Sequence, residues 1–168
     1  MPQIRIMYHT QEYRGGYLTS PIKCVREDAW LGEGYYYWRD IEDAIHWGNK
    51  SKARTGRFVI YESKINCENV LDTVFNEEVY TFWMRQIEKV AKNIIKKTNI
   101  KPSLKEINEY FKERAQWKEV DGILFQDIPL NENLISVKLF YYRKRIQLAV
   151  YNIGIIDNFV INREQKCS

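Results

Sequence analysis

The residues best suited to chemistry lie between Leu31 and Gly48, LGEGYYYWRDIEDAIHWG. Gly32 and Gly34 let the backbone approach a ligand closely or take a positive φ that a side chain resists. Tyr35, Tyr36, Tyr37 and Trp38 follow at once. Flat apolar walls beside flexible backbone suit the planar ring of a ligand. The same residues would also build a tight turn feeding a core strand. A second group is His9, which ends the apolar run Ile4 to Tyr8 and precedes a polar stretch holding Gly15 and Gly16. An imidazole there stands where site residues gather, at the junction of a rigid strand and a loop. A lone histidine also serves as an ordinary, satisfied core or surface group.

These residues need elements to hold them. Ile4 to Tyr8 reads as a first strand, and residues 17–30 as a connecting segment with a turn at Ser20-Pro21. After the glycines come a strand and a short helix, which Asp40 would cap. Its first turn carries Glu42 and Asp43, and it is expected to end at Trp47 and Gly48. Residues 49–57, NKSKARTGR, read as a solvent loop, and Phe58 to Glu62 as a strand. The longest helix is expected over 77–97. Asn76 caps it, Glu77 and Glu78 complement its dipole, and Val79, Trp83, Ile87, Val90 and Ile94 form its apolar face. Arg85, Lys89, Lys92, Lys96 and Lys97 lie on the other face, which reads as solvated. Ser103 and Glu106 make a capping box for a second helix after Pro102. Strands return after the turn Asp121-Gly122: Ile123 to Phe125, Ile135 to Tyr142, Ile146 to Tyr151 and Ile153 to Ile161. Arg143-Lys144-Arg145 is expected in a turn. Strands early, helices in the middle and strands late argue an α+β fold with a largely antiparallel sheet.

At 168 residues the chain suits a single domain over 1–168, with 45% hydrophobic and 14% aromatic residues to build a core. Its 26 Lys and Arg against 22 Asp and Glu give a net charge of +4, which permits an anionic partner without demanding one. Cys24, Cys67 and Cys167 are widely spaced, lack a C-x-x-C, and accompany only two histidines, so no metal site is expected. The pattern fits reduced thiols in a cytoplasmic protein. The first twenty residues hold no signal-peptide run, and no stretch of about 18 apolar residues would span a membrane.

Three pieces then line up: a strand ending Tyr8-His9, the G-x-G-Y-Y-Y unit, and the late strand Gln147-Leu148-Ala149-Val150-Tyr151-Asn152. Their order resembles the ADP-ribosyltransferase superfamily, in its diphtheria-toxin and poly(ADP-ribose)-polymerase-like branch. That branch uses a His, a Tyr and a Glu on three separated strands. His9 falls at the family's histidine, and Tyr36 at the tyrosine of its G-x-G-[IVF]-Y-F pattern. Gln147 falls at the glutamate that opens a strand of the kind E-[YF]-[VI]-V-Y-[DN]. Trp47, eleven residues after Tyr36 and preceded by Ala44, matches a second family aromatic. The family usually has His-Gly where this chain has His9-Thr10.

The resemblance implies a split, largely antiparallel sheet with helices inserted in the middle of the chain. It implies NAD as co-substrate, cleaved at the nicotinamide–ribose bond, without a metal. His9 would anchor the adenosine-side ribose, Tyr36 would stack on the nicotinamide, and Trp47 would flank or brace it. Thr10 would bond the nicotinamide amide through its backbone, and Gly34 would give close approach. Gln147, uncharged, would accept from the nicotinamide-ribose hydroxyl. Glu119 and Asp121 read first as ordinary turn residues, with substitute carboxylates as the lesser alternative. The expected activity is mono-ADP-ribosyl transfer by a small toxin or defence-type effector. Its acceptor would be a protein or nucleic acid, with an inhibitor protein as a further expected partner. NAD glycohydrolysis and a non-catalytic NAD- or ADP-ribose-binding module are the alternatives. A Rossmann-type site fails because Gly32-Glu33-Gly34 lacks a third glycine and runs into aromatics.

Overall fold

The computed structural model describes residues 3–114, 119–128 and 144–168. Its strands are β1 (Ile4–Glu12), β2 (Tyr35–Trp38), β3 (Arg57–Asn66), β4 (Val70–Asp72), β5 (Gly122–Asp127), β6 (Arg145–Val150) and β7 (Ile156–Lys166). Its helices are α1 (Ile41–Ser51), α2 (Glu77–Thr98) and α3 (Leu104–Glu113). The strands form one sheet in the order β4-β5-β6-β2-β1-β3-β7. All neighbours are antiparallel except β4 and β5, so this is an α+β fold with a mixed sheet. The strand expected over Ile135 to Tyr142 lies outside the described residues.

The alternation of each strand sorts its side chains onto two faces. On one face Met7, Tyr37, Ile65, Leu124, Ile146, Leu148 and Val150 make a core cluster. On the other, Leu31, Ile123 and Ala149 meet Trp83 of α2 and Ile107 and Phe111 of α3. Trp38, Phe58 and Ile60 meet Ala44 of α1 on this helix-bearing face. The expected apolar stripe of α2 turns inward, with Trp83 fully buried. Asn76 accepts from the Val79 amide at 3.1 Å, and the Ser103–Glu106 capping box forms in both directions.

Several local expectations change. β1, expected to end at Tyr8, runs on through His9 to Glu12, so His9 sits within the strand. Asp40 stands at the N-cap of α1 with extended backbone, but its side chain makes no capping bond. Helix α1 does not stop at Gly48; it runs on to Ser51, because Gly48 is a packing position. A Cβ there would lie 2.5 Å from the buried Phe58 ring. The segment expected as one strand from Ile153 opens instead with a short 3-10 turn, Ile153–Ile155, before β7.

The centre of the sheet is its weakest join. β1 and β3 pair along nine residues, from Ile4↔Asn66 to Glu12↔Phe58, whereas β1 and β2 pair only at Tyr8↔Trp38. Beyond that one pair the sheet opens, and the opening holds the candidate site.

Candidate functional site

A cavity of about 470 Å³ lies in the opening between β1 and β2, lined by His9, Thr10, Tyr36, Trp38, Trp47 and Gln147 among others. Its volume falls within the range of small-molecule sites, about 300–1,000 Å³. Five of the six residues expected at the site thus share one cleft, from β1, β2, α1 and β6.

His9 is buried, with Nδ1 2.8 Å from the Tyr36 carbonyl oxygen. A carbonyl only accepts, so Nδ1 carries the proton and Nε2 is left as an acceptor. Nε2 is buried and has no hydrogen-bond partner among the described residues. Burial brings the His9 pKa down to about 4. The bond to Tyr36 works the other way, and the Lys52 charge adds to the fall. At neutral pH the imidazole is therefore uncharged, with Nε2 able to accept a hydrogen bond.

Thr10 uses its hydroxyl elsewhere, donating to the Ala44 carbonyl at 2.9 Å and tying β1 to α1. Its backbone has a different role. Tyr13 donates to the Arg57 carbonyl, continuing the β1–β3 ladder. In an antiparallel ladder such bonds fall on alternate residues. Gln11 and His9 therefore bond toward β3, while Thr10 and Glu12 turn their N–H and C=O toward β2. Tyr8↔Trp38 is the one pair between β1 and β2, so Tyr36, which that register sets opposite Thr10, does not close the ladder there.

The segment read from sequence as a plain connection makes the far wall. Lys23, Cys24, Arg26, Asp28 and Trp30 all line the cavity. Helix α3 fastens it with one polar face, Lys105, Asn108, Glu109 and Lys112, at the i, i+3, i+4, i+7 spacing. Lys105 donates to the Arg26 carbonyl at 3.0 Å, and Asn108 to the Trp30 carbonyl at 3.1 Å. Glu109 accepts from the Glu33 amide at 2.5 Å, and Lys112 donates to the Glu33 carbonyl at 2.8 Å. Tyr151 at the end of β6 adds a bond to the Leu31 carbonyl at 2.6 Å.

The two glycines divide their work. Gly32 takes φ of +88°, and its carbonyl accepts from the Tyr36 hydroxyl at 2.8 Å, which sets the ring. Burial, with Cys24 nearby, pushes the Tyr36 phenol pKa well up, so it stays protonated. Gly34 does not line the cavity. A Cβ there would lie 2.7 Å from the Val150 carbonyl, so this glycine lets the loop close onto β6, where it bridges to Cys24. Trp47 projects from α1 beside Trp38, ring centres 6.1 Å apart.

Lys52, expected in a solvent loop, lines the cavity instead. Burial lowers its pKa, opposed by Glu12. It offers a cation to an anionic ligand and was not singled out from sequence, because a lysine in a polar run carries no local sign of where it points.

Gln147 has an unforeseen neighbour. By strand alternation Phe125 and Asp127 of β5 share a face with Arg145 and Gln147 of β6, with Asp127↔Arg145 and Phe125↔Gln147 in register. Gln147 Nε2 donates to Asp127 Oδ2 at 3.1 Å. Arg145 reaches the same oxygen at 3.3 Å and Asp43 at 3.4 Å, with its guanidinium over the Trp38 ring. The expectation of a basic turn at 143–145 is corrected here. Arg145 is the first residue of β6, with a side chain only 9% exposed, and it is engaged by two carboxylates. Arg143 lies outside the described residues. Neither Glu119 nor Asp121 lines the cavity. Asp121 braces a turn, accepting from the Asn152 side chain at 2.8 Å and from the Tyr151 amide.

A second cavity of about 640 Å³, lined by Phe75, Tyr80 and Phe125, shares Trp30 and Asp127 with the first. Among the described residues no group of His, Cys, Asp and Glu is arranged to hold a metal, no helix is long and apolar enough to cross a membrane, and the three cysteines are free thiols. Comparison with the profiles of known families, with curated proteins and with solved structures finds no match to this chain.

Proposed function

We propose that this chain is an NAD-dependent mono-ADP-ribosyltransferase acting on a protein or nucleic-acid acceptor, in the role of a toxin or defence-type effector. The observation that carries the reading is one shared cavity. It gathers His9, Tyr36, Trp47 and Gln147, residues up to 138 positions apart, around the unpaired edge of β1.

The residues divide the work in the following way. His9 Nε2 accepts a hydroxyl of the adenosine-side ribose. Thr10 meets the nicotinamide amide with its outward N–H and C=O. Tyr36 stacks on the nicotinamide, adding about 0.5–1.5 kcal/mol beyond area burial, and Trp47 flanks it. Lys52 takes a phosphate oxygen of the pyrophosphate. Gln147 accepts from the nicotinamide-ribose hydroxyl. The C1′–N bond then breaks, its electron pair neutralising the departing ring. The ribosyl cation is captured by the acceptor's lone pair, and the acceptor sheds a proton. The adjoining cavity, which shares Trp30 and Asp127, offers room for that acceptor. Because Gln147 cannot take a proton, a nucleobase nitrogen or amine suits this site better than a serine hydroxyl.

Incubation with labelled NAD in a cell lysate tests the reading by mass spectrometry. Label on protein or nucleic acid is the expected result. Free ADP-ribose alone would make the chain a glycohydrolase, and tight binding without nicotinamide release would make it a binding module. Absence of both binding and turnover overturns the proposal.

A further inference from the structure

Building on that reading, we infer that Asp127 is the carboxylate this site uses in place of a catalytic glutamate. It acts through Gln147 and supplies a negative charge to the wall facing the developing cation.

The argument starts from the amide. Ionised carboxylate oxygens only accept, so the nitrogen of Gln147 must be the atom facing Asp127 Oδ2 at 3.1 Å. The amide oxygen is thereby turned away from Asp127. A carboxylate acceptor polarises the amide and raises the electron density on that oxygen, as members of a hydrogen-bond chain strengthen one another in a low-dielectric site. An oxygen held in this way suits a donating sugar hydroxyl.

Charge is the second strand of the argument. Asp43, Arg145 and Asp127 form a line of ion pairs at 3.4 and 3.3 Å. Arg145 is shared between two carboxylates, so Asp127 does not hold its single positive charge alone. Asp43 is buried with Arg145 beneath the Trp38 ring, and Asp127 is the member at the cavity wall, its side chain 15% exposed. The carboxylate at the ligand end is therefore Asp127. Strand register explains why it is. Asp127 lies directly across from Arg145 and diagonally from Gln147, the two positions from which one β5 side chain reaches both. Asp127 also lies where the two cavities meet, so the same charge faces an incoming acceptor.

The test compares wild type, Asp127→Asn, Gln147→Glu and the double variant Asp127→Asn/Gln147→Glu. It reads nicotinamide release from NAD (kcat and KM) and thermal unfolding. Asp127→Asn should lower kcat about 10- to 100-fold, the size of losing one electrostatic contact to a transition state, with KM within about 3-fold. Gln147→Glu alone sets two carboxylates side by side, one of which takes up a proton, so it gains little. The double variant moves the charge across the hydrogen bond and should recover to within about 3-fold of wild type, which a merely structural Asp127 would not allow. Asp127→Asn within about 3-fold of wild type, or a double variant as slow as the single one, overturns the inference while leaving NAD turnover intact. If Asp127→Asn alone does not fold, the double variant, which retains an anion near Arg145, decides the matter by the same criterion. A wild-type protein that releases no nicotinamide removes the transferase reading and this inference with it.

Discussion

His9 gives the sharpest quantitative expectation, because its environment shifts its proton affinity in a known direction. Buried with Nδ1 donating to the Tyr36 carbonyl, it has a pKa of about 4 in the folded chain against an ordinary 6.5. The unfolded chain therefore binds a proton on His9 below pH 6.5, while the folded chain refuses it until about pH 4. Stability from this source is complete above 6.5 and is lost as pH falls toward 4. The slope is at most about 1.4 kcal/mol per pH unit, and the full loss about 3 kcal/mol. Glutamine at position 9 keeps a donor for the Tyr36 carbonyl but does not titrate. Urea unfolding of wild type and His9→Gln, followed by tryptophan fluorescence at pH 7, 6, 5 and 4.5, isolates the effect, since the carboxylates titrate in both proteins and cancel in the difference. Wild type should lose about 2 kcal/mol more than the variant between pH 7 and 5. Parallel stability curves would refute the buried, neutral imidazole, and with it the assignment of Nε2 as a hydroxyl acceptor.

The other residues separate ring, charge and packing effects. Tyr36→Phe loses the bond to the Gly32 carbonyl, costing about 1 kcal/mol of stability, and keeps most nicotinamide release because the stacking ring remains. Tyr36→Ala should abolish release and, because the ring also packs against the Leu31–Ala149 cluster, cost about 2–4 kcal/mol in thermal unfolding. Lys52→Ala should weaken NAD binding about 10-fold by calorimetry, equivalent to about 1.4 kcal/mol, with a shallower salt dependence and little change in kcat. Gly48→Ala should lower Tm although alanine is the better helix former by about 1 kcal/mol. The new Cβ meets the Phe58 ring at 2.5 Å, and overpacking there costs about 1–3 kcal/mol.

Local signals reported local structure faithfully. The Ser103–Glu106 capping box, the Asn76 cap and the inward stripe of α2 depend on spacings of three and four, and all three formed. Tyr36 behind a glycine turn was likewise visible, whereas His9, expected at a strand end, lies within β1, which runs on to Glu12 because its pairing with distant β3 continues that far. What stayed hidden depended on distant pairing. Residues 17–30 contain no regular element, so nothing in them announces a cavity wall. That wall exists because α3 bonds it from about 80 positions away. Arg145 looked like part of a basic turn because its two carboxylates, Asp43 and Asp127, lie far from it in sequence. Gly34 looked like a ligand-facing hinge, yet the atom that forbids a side chain is the Val150 carbonyl.

The site's position follows from what the sheet gives up. An antiparallel sheet satisfies backbone groups by continuing its ladders, and β1 does so fully toward β3. Toward β2 it pairs only at Tyr8↔Trp38; the next antiparallel position, Thr10 opposite Tyr36, stays open, and the Tyr36 carbonyl accepts from His9 Nδ1 instead. Thr10 then turns a donor and an acceptor toward the opening, flanked by an imidazole whose Nε2 has no hydrogen-bond partner among the described residues. Buried polar groups left open in this way favour whatever supplies the missing partners. A planar amide matches the Thr10 pair, a sugar hydroxyl matches His9, and Tyr36 and Trp47 add apolar ring surface between them. Closing the gap by pairing Thr10 with Tyr36 would satisfy Thr10 internally. A cross-strand disulfide from Gln11→Cys and Tyr35→Cys, partners in the same register, should draw the strands together, stabilise the sheet and abolish ligand binding. The converse, a tighter ligand on a more stable sheet, would mean that the open edge of β1 is not where the ligand is held.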